Sequence, residues 1–331
     1  MRTTPTILIS RTAVRQLLPM KDCIAAVEAA FDGMSSGKTI PAGVLGSHVA
    51  EGGFHVKTAG LLGRAAYFAA KINANFPQNP LRSGRATIQG ILVLYDATNG
   101  DPLAVMDSAE ITRLRTAAAT AVAAKYLSRP DAATVTISGC GLQASAQLEA
   151  VCLMRPISRV FVHDLDAARA EQFAADMRAK LRVDVRAVPA IADGSRRSDI
   201  VVTCTPSTRP ILGVKDVADG TFIAAVGADS EHKHEIDVDL MAQSAVVADV
   251  LSQCATIGDL HHAIEAGAMK AADVRAELAG VVSGTASWRR SDGETVVFDS
   301  TGTALEDVAA ASMVYERAVA ARSCATFDFS E

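Results

Sequence analysis

Thr134-Val-Thr-Ile-Ser138, followed at once by Gly139-Cys-Gly141-Leu-Gln-Ala144, is a β-branched run that breaks into a G-x-G-x-x-A turn. A helical window, Leu142–Met154, comes next, and a second apolar run, Val160–His163, then delivers Asp164, 25 residues after Gly139. Strand, glycine-rich turn, helix, strand and acid, in that order, seat a dinucleotide's pyrophosphate on a helix N-terminus. Gly139 permits the tight turn, Gly141 lets the backbone approach the pyrophosphate, and Ala144 is small enough for the helix to pack on the strand. A carboxylate at Asp164 accepts both ribose hydroxyls of NAD and repels the 2′-phosphate of NADP, so NAD is expected, with NADP as the alternative. The competing reading is a tight βα turn in a sheet that binds nothing, with Asp164 a solvated acid at a strand end. Cys140 reads as a small side chain in a crowded turn.

Downstream, short β-branched runs at Val183–Val188, Ile200–Thr203, Thr221–Val226 and Val246–Val250 bring the strand total to six, with a second helix at Ala167–Lys180. Short strands alternating with longer helical windows predict βαβ units and a doubly wound parallel sheet. Upstream, residues 1 to about 128 read as α+β. They hold a helix near Lys21–Met34 and strands near Phe54–Thr58, Tyr67–Asn75 and Thr87–Tyr95 that should share one sheet. Ile111–Leu127, rich in Ala and free of Gly and Pro, predicts a helix that hinges into the second domain.

At 331 residues the chain has room for about two domains, and its 49% apolar and 21% charged residues suit a folded protein. With 32 basic against 37 acidic side chains and no Lys/Arg run, nucleic acid is not an expected partner. No segment approaches eighteen uninterrupted apolar residues and no leader is evident, so no membrane association and a cytoplasmic, unprocessed chain are expected. Six scattered cysteines without C-x-x-C spacing suit reduced thiols, with no structural metal. His232-Lys-His234 and His261-His262 lack a second ligand pair and read as solvated positions.

Three charged side chains outside the turn invite chemistry. Lys71 sits inside an apolar strand, where an ammonium costs free energy unless an anion neutralises it. Arg115 lies near a helix start and offers a two-pronged grip on a carboxylate. Asp229 follows the run Thr221–Val226, just past the C-terminal edge of a parallel strand, where ligands of such sheets bind. The bland alternatives are a snorkelling Lys71, an Arg115 paired with Glu110 along the helix, and an Asp229 that caps a turn.

Together these motifs resemble the ornithine cyclodeaminase/mu-crystallin family. The likeness runs through Lys71-x-Asn-x-Asn-x-Pro77-x-Asn79, Gly100–Asp107, Ile111-Thr-Arg-Leu-Arg115-Thr116, Gly139-x-Gly141-x-Gln143-Ala144, Val226-Gly227-Ala-Asp229 with Glu235-Ile-Asp237, and Val297-Phe-Asp-Ser300-Thr-Gly302 with Glu306-Asp307. The resemblance implies a substrate-binding and dimerisation domain, 1–128 completed by a C-terminal helix 305–331, beside a Rossmann NAD-binding domain, 129–304. It implies that Lys71 and Arg115 hold a substrate carboxylate and that Asp229 transfers protons. It also places Gly139, Gly141, Gln143, Ala144, Asp164, Thr205, Gly227 and Gly302 at the cofactor.

Two departures bear on the substrate. Pro41-Ala42-Gly43 stands where members often carry Pro-x-Arg, and His55-Val-Lys57 replaces an E-x-M-P-like strand. That puts ornithine itself in doubt and makes His55 and Lys57 candidate substrate contacts, Lys57 for a carboxylate or a second anionic group. The expected activity is an NAD(H)-dependent oxidoreductase acting on the C–N bond of a small amino or imino acid, in a homodimer. The alternatives are a cyclodeaminase lyase that releases ammonia with catalytic NAD, and a mu-crystallin-like binding protein.

Overall fold

The computed structural model describes residues 5–289, 291–322 and 324–329. The chain opens with β1 (Thr6–Ile9), α1 (Arg11–Leu17), α2 (Met20–Ser35), β2 (Thr39–Val49), β3 (Gly52–Leu62) and β4 (Ala66–Asn75). A single turn, α3 (Asn79–Ser83), leads to β5 (Ile88–Asp96), β6 (Pro102–Asp107) and the long α4 (Ser108–Leu127). Then follow β7 (Thr134–Ser138), α5 (Leu142–Met154), β8 (Arg159–His163), α6 (Ala167–Leu181), β9 (Asp184–Ala187), α7 (Ile191–Ser195) and β10 (Ile200–Thr203). After β11 (Thr208–Leu212), β12 (Phe222–Ala225) and β13 (His234–Ile236) come α8 (Val238–Gln243), β14 (Ala245–Ala248), α9 (Leu251–Ile257) and α10 (Asp259–Glu265). β15 (Ala276–Glu277), α11 (Leu278–Val282), β16 (Val296–Asp299), α12 (Ala304–Ala321) and β17 (Ala325–Phe327) complete the chain.

Two compact units result, and the chain crosses between them twice. The first runs to Arg115 and resumes at Thr303; the second is Thr116–Gly302. The division therefore falls inside α4 rather than after it.

In the first unit a seven-stranded sheet has the order β17-β1-β6-β5-β4-β3-β2. The three strands expected to share a sheet do so, as the antiparallel run β3-β4-β5. α2 buries Cys23, Ile24, Val27, Ala30 and Phe31, a stripe at helical spacing, and packs along α12. α12 also lies on β3 and β4. It starts with a capping box in which Thr303 accepts from the Leu305 amide and Glu306 accepts from the Thr303 amide. It stops at Ala321, with Arg322 in the left-handed region at φ 51°, so the expected helix 305–331 is too long. A strand follows, and residues 323, 330 and 331 lie outside the described residues.

The second unit is an eight-stranded, all-parallel sheet, β15-β14-β16-β12-β10-β7-β8-β9. Its central strands, such as Ile200–Thr203 and Phe222–Ala225, are buried along their whole length, as a sheet covered on both faces requires. Six strands were expected; β15 and β16 are the additions. The order runs from β7 through β8 to β9 on one side and from β10 to β12 on the other, which puts the topological switch between β7 and β10.

Candidate active site

At that switch Gly139 has φ +90°, and a Cβ there would come within 2.9 Å of the Cys204 carbonyl and the Thr205 methyl. The turn therefore excludes any larger residue. Gly141 differs: a Cβ would meet nothing within 4 Å, so the fold itself does not demand glycine at this position. Open space beside the backbone is what an approaching pyrophosphate needs. Among the described residues no side chain caps α5, a helix start that suits an anionic ligand, and Ala144 is fully buried where helix meets strand. Asp164 accepts from the Cys140 amide at 2.8 Å and from the Asp166 amide at 2.9 Å, which fixes its carboxylate at the end of β8. The residues present thus fit a dinucleotide. Gln143 lies in the first turn of α5, and its buried side-chain oxygen has no hydrogen-bond partner.

The loops after β10, β12 and β16 carry the remaining expected contacts. Thr205 donates to Glu235 through both its amide and its hydroxyl at 2.7 Å, and the Gly227 amide donates to the other Glu235 oxygen at 2.8 Å. A Cβ on Gly227 would sit 2.4 Å from the Thr205 carbonyl, so these two loops pass in close contact. The Gly302 amide donates to Asp249 at 2.7 Å. Asp229 is exposed at the start of the following loop, with its carboxylate 2.5 Å from Lys233 Nζ. A ring nitrogen of His262 donates to the Lys233 carbonyl at 2.8 Å, and His262 stacks on His234 at 3.9 Å. The expectation of solvated positions holds for His232, which is exposed, and is corrected for His234, His261 and His262, which are half-buried, His262 bracing the Asp229 loop through Lys233. Among the described residues no group of three or more His, Cys, Asp or Glu could hold a metal ion.

In the first unit Lys71 is only 3% exposed and Arg115 5%. Lys71 Nζ lies 2.6 Å from Asp307, and Arg115 lies 2.7 Å from Glu306 and 3.0 Å from Asp307, so the sheet and α12 share one buried ionic cluster. The snorkelling Lys71 and the Arg115–Glu110 pair are both set aside; Glu110 pairs with Arg15 and Arg113 instead. Lys57 is directly opposite Lys71 in the β3/β4 register, and His55 opposite Asn73. Burial lowers the Lys71 ammonium to about 8, with Arg115 and Lys57 pushing the same way and Asp307 opposing them. Burial works against the Asp307 carboxylate, but Lys71, Arg115 and Lys57 hold it below its ordinary range. Gly43, where the resemblance leads one to look for an arginine, lies opposite Thr58 between the edge strand and β3.

Residues 5–322 match the model of the ornithine cyclodeaminase/mu-crystallin family. The chain belongs to that family. Three solved members show how closely this chain follows the family fold. An archaeal alanine dehydrogenase dimer with bound NAD superimposes with TM-score 0.94 at 34% identity, covering 98% of this chain and 100% of that one. The Δ1-pyrroline-2-carboxylate reductase of Thermococcus litoralis, with NADH and L-proline, gives 0.91 at 30% over 97% and 99%. The iminosuccinate reductase of Paracoccus denitrificans, with NAD+, gives 0.90 at 27% over 98% and 100%.

Four acids, three of them within the family motifs, carry interactions that the sequence alone does not reveal. Glu306 and Asp307 are the counter-charges of Arg115 and Lys71, and Glu235 and Asp249 hold the loops at Thr205, Gly227 and Gly302. The available signal was their setting: acids beside apolar runs, which stay buried only when something satisfies them.

The two glycines of the turn should respond differently to substitution. Gly141→Val is expected to leave the melting temperature within a few degrees while weakening NADH binding by roughly a hundredfold, because its Cβ meets no protein atom within 4 Å and its methyls extend into the space a ligand needs. Fluorescence titration and a thermal melt on the same preparation check this.

Proposed function

We propose that this chain is an NAD-dependent oxidoreductase that interconverts a small α-imino acid and the corresponding amino acid. The observation that carries the reading is two buried cations, Lys71 and Arg115, whose charges suit a substrate carboxylate, in a chain whose second unit has a glycine turn suited to a dinucleotide. The relatives described above support it, since each is named a dehydrogenase or reductase of such an acid and each was solved with NAD or NADH.

Bound NADH supplies the hydride. Lys71 and Arg115 hold the substrate carboxylate and fix the orientation in which the substrate is bound. Asp307 and Glu306 keep those cations aimed and charged. Lys57 and His55, on the same face of β3, meet the remainder of the substrate and set its size and charge. Asp229 stabilises the protonated imine and moves the proton at nitrogen. Gly139, Gly141, Gln143 and Ala144 take the pyrophosphate, Asp164 the adenosine ribose, and Thr205, Gly227 and Gly302 the nicotinamide half.

The test separates a reductase from an ammonia-releasing lyase. Incubated with a cyclic imino acid, or with a 2-keto acid and ammonium, the protein should consume one NADH per amino acid formed. Ammonia release from ornithine with no net change in NAD would overturn the proposal in favour of the lyase.

A homodimer belongs to the same reading. The face of the seven-stranded sheet opposite Lys71 carries Leu8, Leu45, Phe54, Ile72 and Ile91, all at least 40% exposed and in register on one side. We assign a second copy of the chain to this face. Ile72→Asp should halve the mass measured by light scattering, since a buried carboxylate there costs several kcal/mol. The setting of the reading is a reducing, cytoplasmic one, supported by six free cysteines. Among the described residues no helix is long and apolar enough to cross a membrane.

A further inference from the structure

Four carboxyl groups in the second unit, those of Glu235, Asp249, Asp259 and Asp299, are fully buried, with relative exposures of 0%. They are joined end to end through backbone amides. Glu235 accepts from the Thr203 hydroxyl, the Thr205 amide and hydroxyl, and the Gly227 amide. The amides of Glu235 and Ile236 in turn donate to Asp259 Oδ1 at 2.7 and 2.9 Å. The amides of Asp259 and Leu260 donate to Asp299, and the Asp249 amide donates to the Asp299 carbonyl. Asp249 closes the series, accepting from the Gly302 amide at 2.7 Å and from the hydroxyls of Ser300 and Thr301. The two ends of the series are thus the loops at Thr205 and Gly227 and the loop at Gly302.

Counting donors places the charge. Four donors converge on Glu235, and backbone amides reach both oxygens of Glu235, Asp249 and Asp299, so each of these three suits the ionised form. Asp259 accepts twice at Oδ1, but its Oδ2 is buried with no hydrogen-bond partner among the described residues. A bare carboxylate oxygen there, among other buried acids, would carry an uncompensated charge, whereas a hydroxyl would not.

We propose that Glu235, Asp259, Asp299 and Asp249 are positioning residues, a proton-bearing strut that holds the backbone at Thr205, Gly227 and Gly302 in register for the nicotinamide half of the dinucleotide. This rests on the reading that NAD binds along this sheet edge. Burial pushes Glu235, Asp259 and Asp299 upward, Asp299 to about 7, and the mutual repulsion of the acids adds to the shift of Asp259 and Asp299. The flanking thiols of Cys204 and Cys254 are driven well above their ordinary value by burial and stay neutral. The other ionisable groups on the neighbouring elements are His234 on β13, His261, His262 and Glu265 on α10, with Glu265 beside His261, and Glu277, which accepts from the Leu251 amide. None of these forms an ion pair with the four acids among the described residues.

Removing the proton at higher pH sets like charges against one another inside the strut, so the loops loosen and nucleotide affinity falls. The deciding experiment is NADH titration by fluorescence between about pH 6 and 9.5 on the whole protein, comparing wild type with Asp259→Asn and Glu235→Gln. Wild-type affinity should fall as pH rises, by roughly tenfold, while Asp259→Asn, permanently neutral, should match wild type at the acid end and stay flat. Glu235→Gln should bind about tenfold more weakly at every pH, because its NH2 faces donor N–H groups. If that variant does not fold, the Asp259→Asn profile alone decides. A wild-type profile that is flat, or an Asp259→Asn profile that falls as wild type does, overturns the strut. Failure of the wild type to bind NADH at any pH overturns the nucleotide reading with it.

Discussion

Lys71→Met should lower kcat/KM by roughly 30- to 5,000-fold, the 2 to 5 kcal/mol lost when one member of a buried charge pair is truncated. The ammonium it removes is 3% exposed and 2.6 Å from Asp307, so the substitution also leaves a buried carboxylate with Arg115 and the more distant Lys57 to support it. Stability should therefore fall too, and the two losses must be told apart. Adding Asp307→Asn removes the orphaned charge, so the double variant is expected to recover most of the lost melting temperature but none of the lost kcat/KM. Recovery of both would make Lys71 a structural counter-ion only. In the wild type, kcat/KM should decline as pH rises through about 8, where Lys71 gives up its proton and with it its hold on a carboxylate.

Asp229→Asn should reduce kcat by about 10² to 10⁴-fold, the range for loss of a positioned proton-transfer group, with NADH affinity nearly unchanged. Its carboxylate is about half exposed and paired with Lys233, so the fold does not depend on it and the variant should melt with wild type. Stopped-flow measurement of NADH oxidation separates this effect from product release. A drop in NADH affinity with kcat preserved would place Asp229 at the nucleotide instead.

Elements whose signal is local were legible in the sequence: β7, β10 and α5 have the bounds that their β-branched and helical windows dictate. The misses have physical causes. β2 carries Pro41, Gly43 and Gly46 and survives as an edge strand because β3 supplies its hydrogen bonds. β15 has two residues and exists only by pairing with β14. The end of α12 depends on Arg322 adopting a conformation that its side chain does not announce. In the site, the glycine turn was readable because its geometry is contained in six residues. The counter-charges were not: Glu306 meets Arg115 across 191 positions of chain, and Asp259 meets the amide of Glu235 across 24. No window of sequence holds both partners.

The most direct measurement of the central claim is the absorbance of NADH at 340 nm with a cyclic α-imino acid and, separately, with its carboxamide. Both molecules offer the same C=N bond, but only the acid offers a carboxylate to Lys71 and Arg115. The account predicts stoichiometric NADH oxidation with the acid and a rate lower by at least about a hundredfold with the amide. Equal rates, or no oxidation with either, would contradict it.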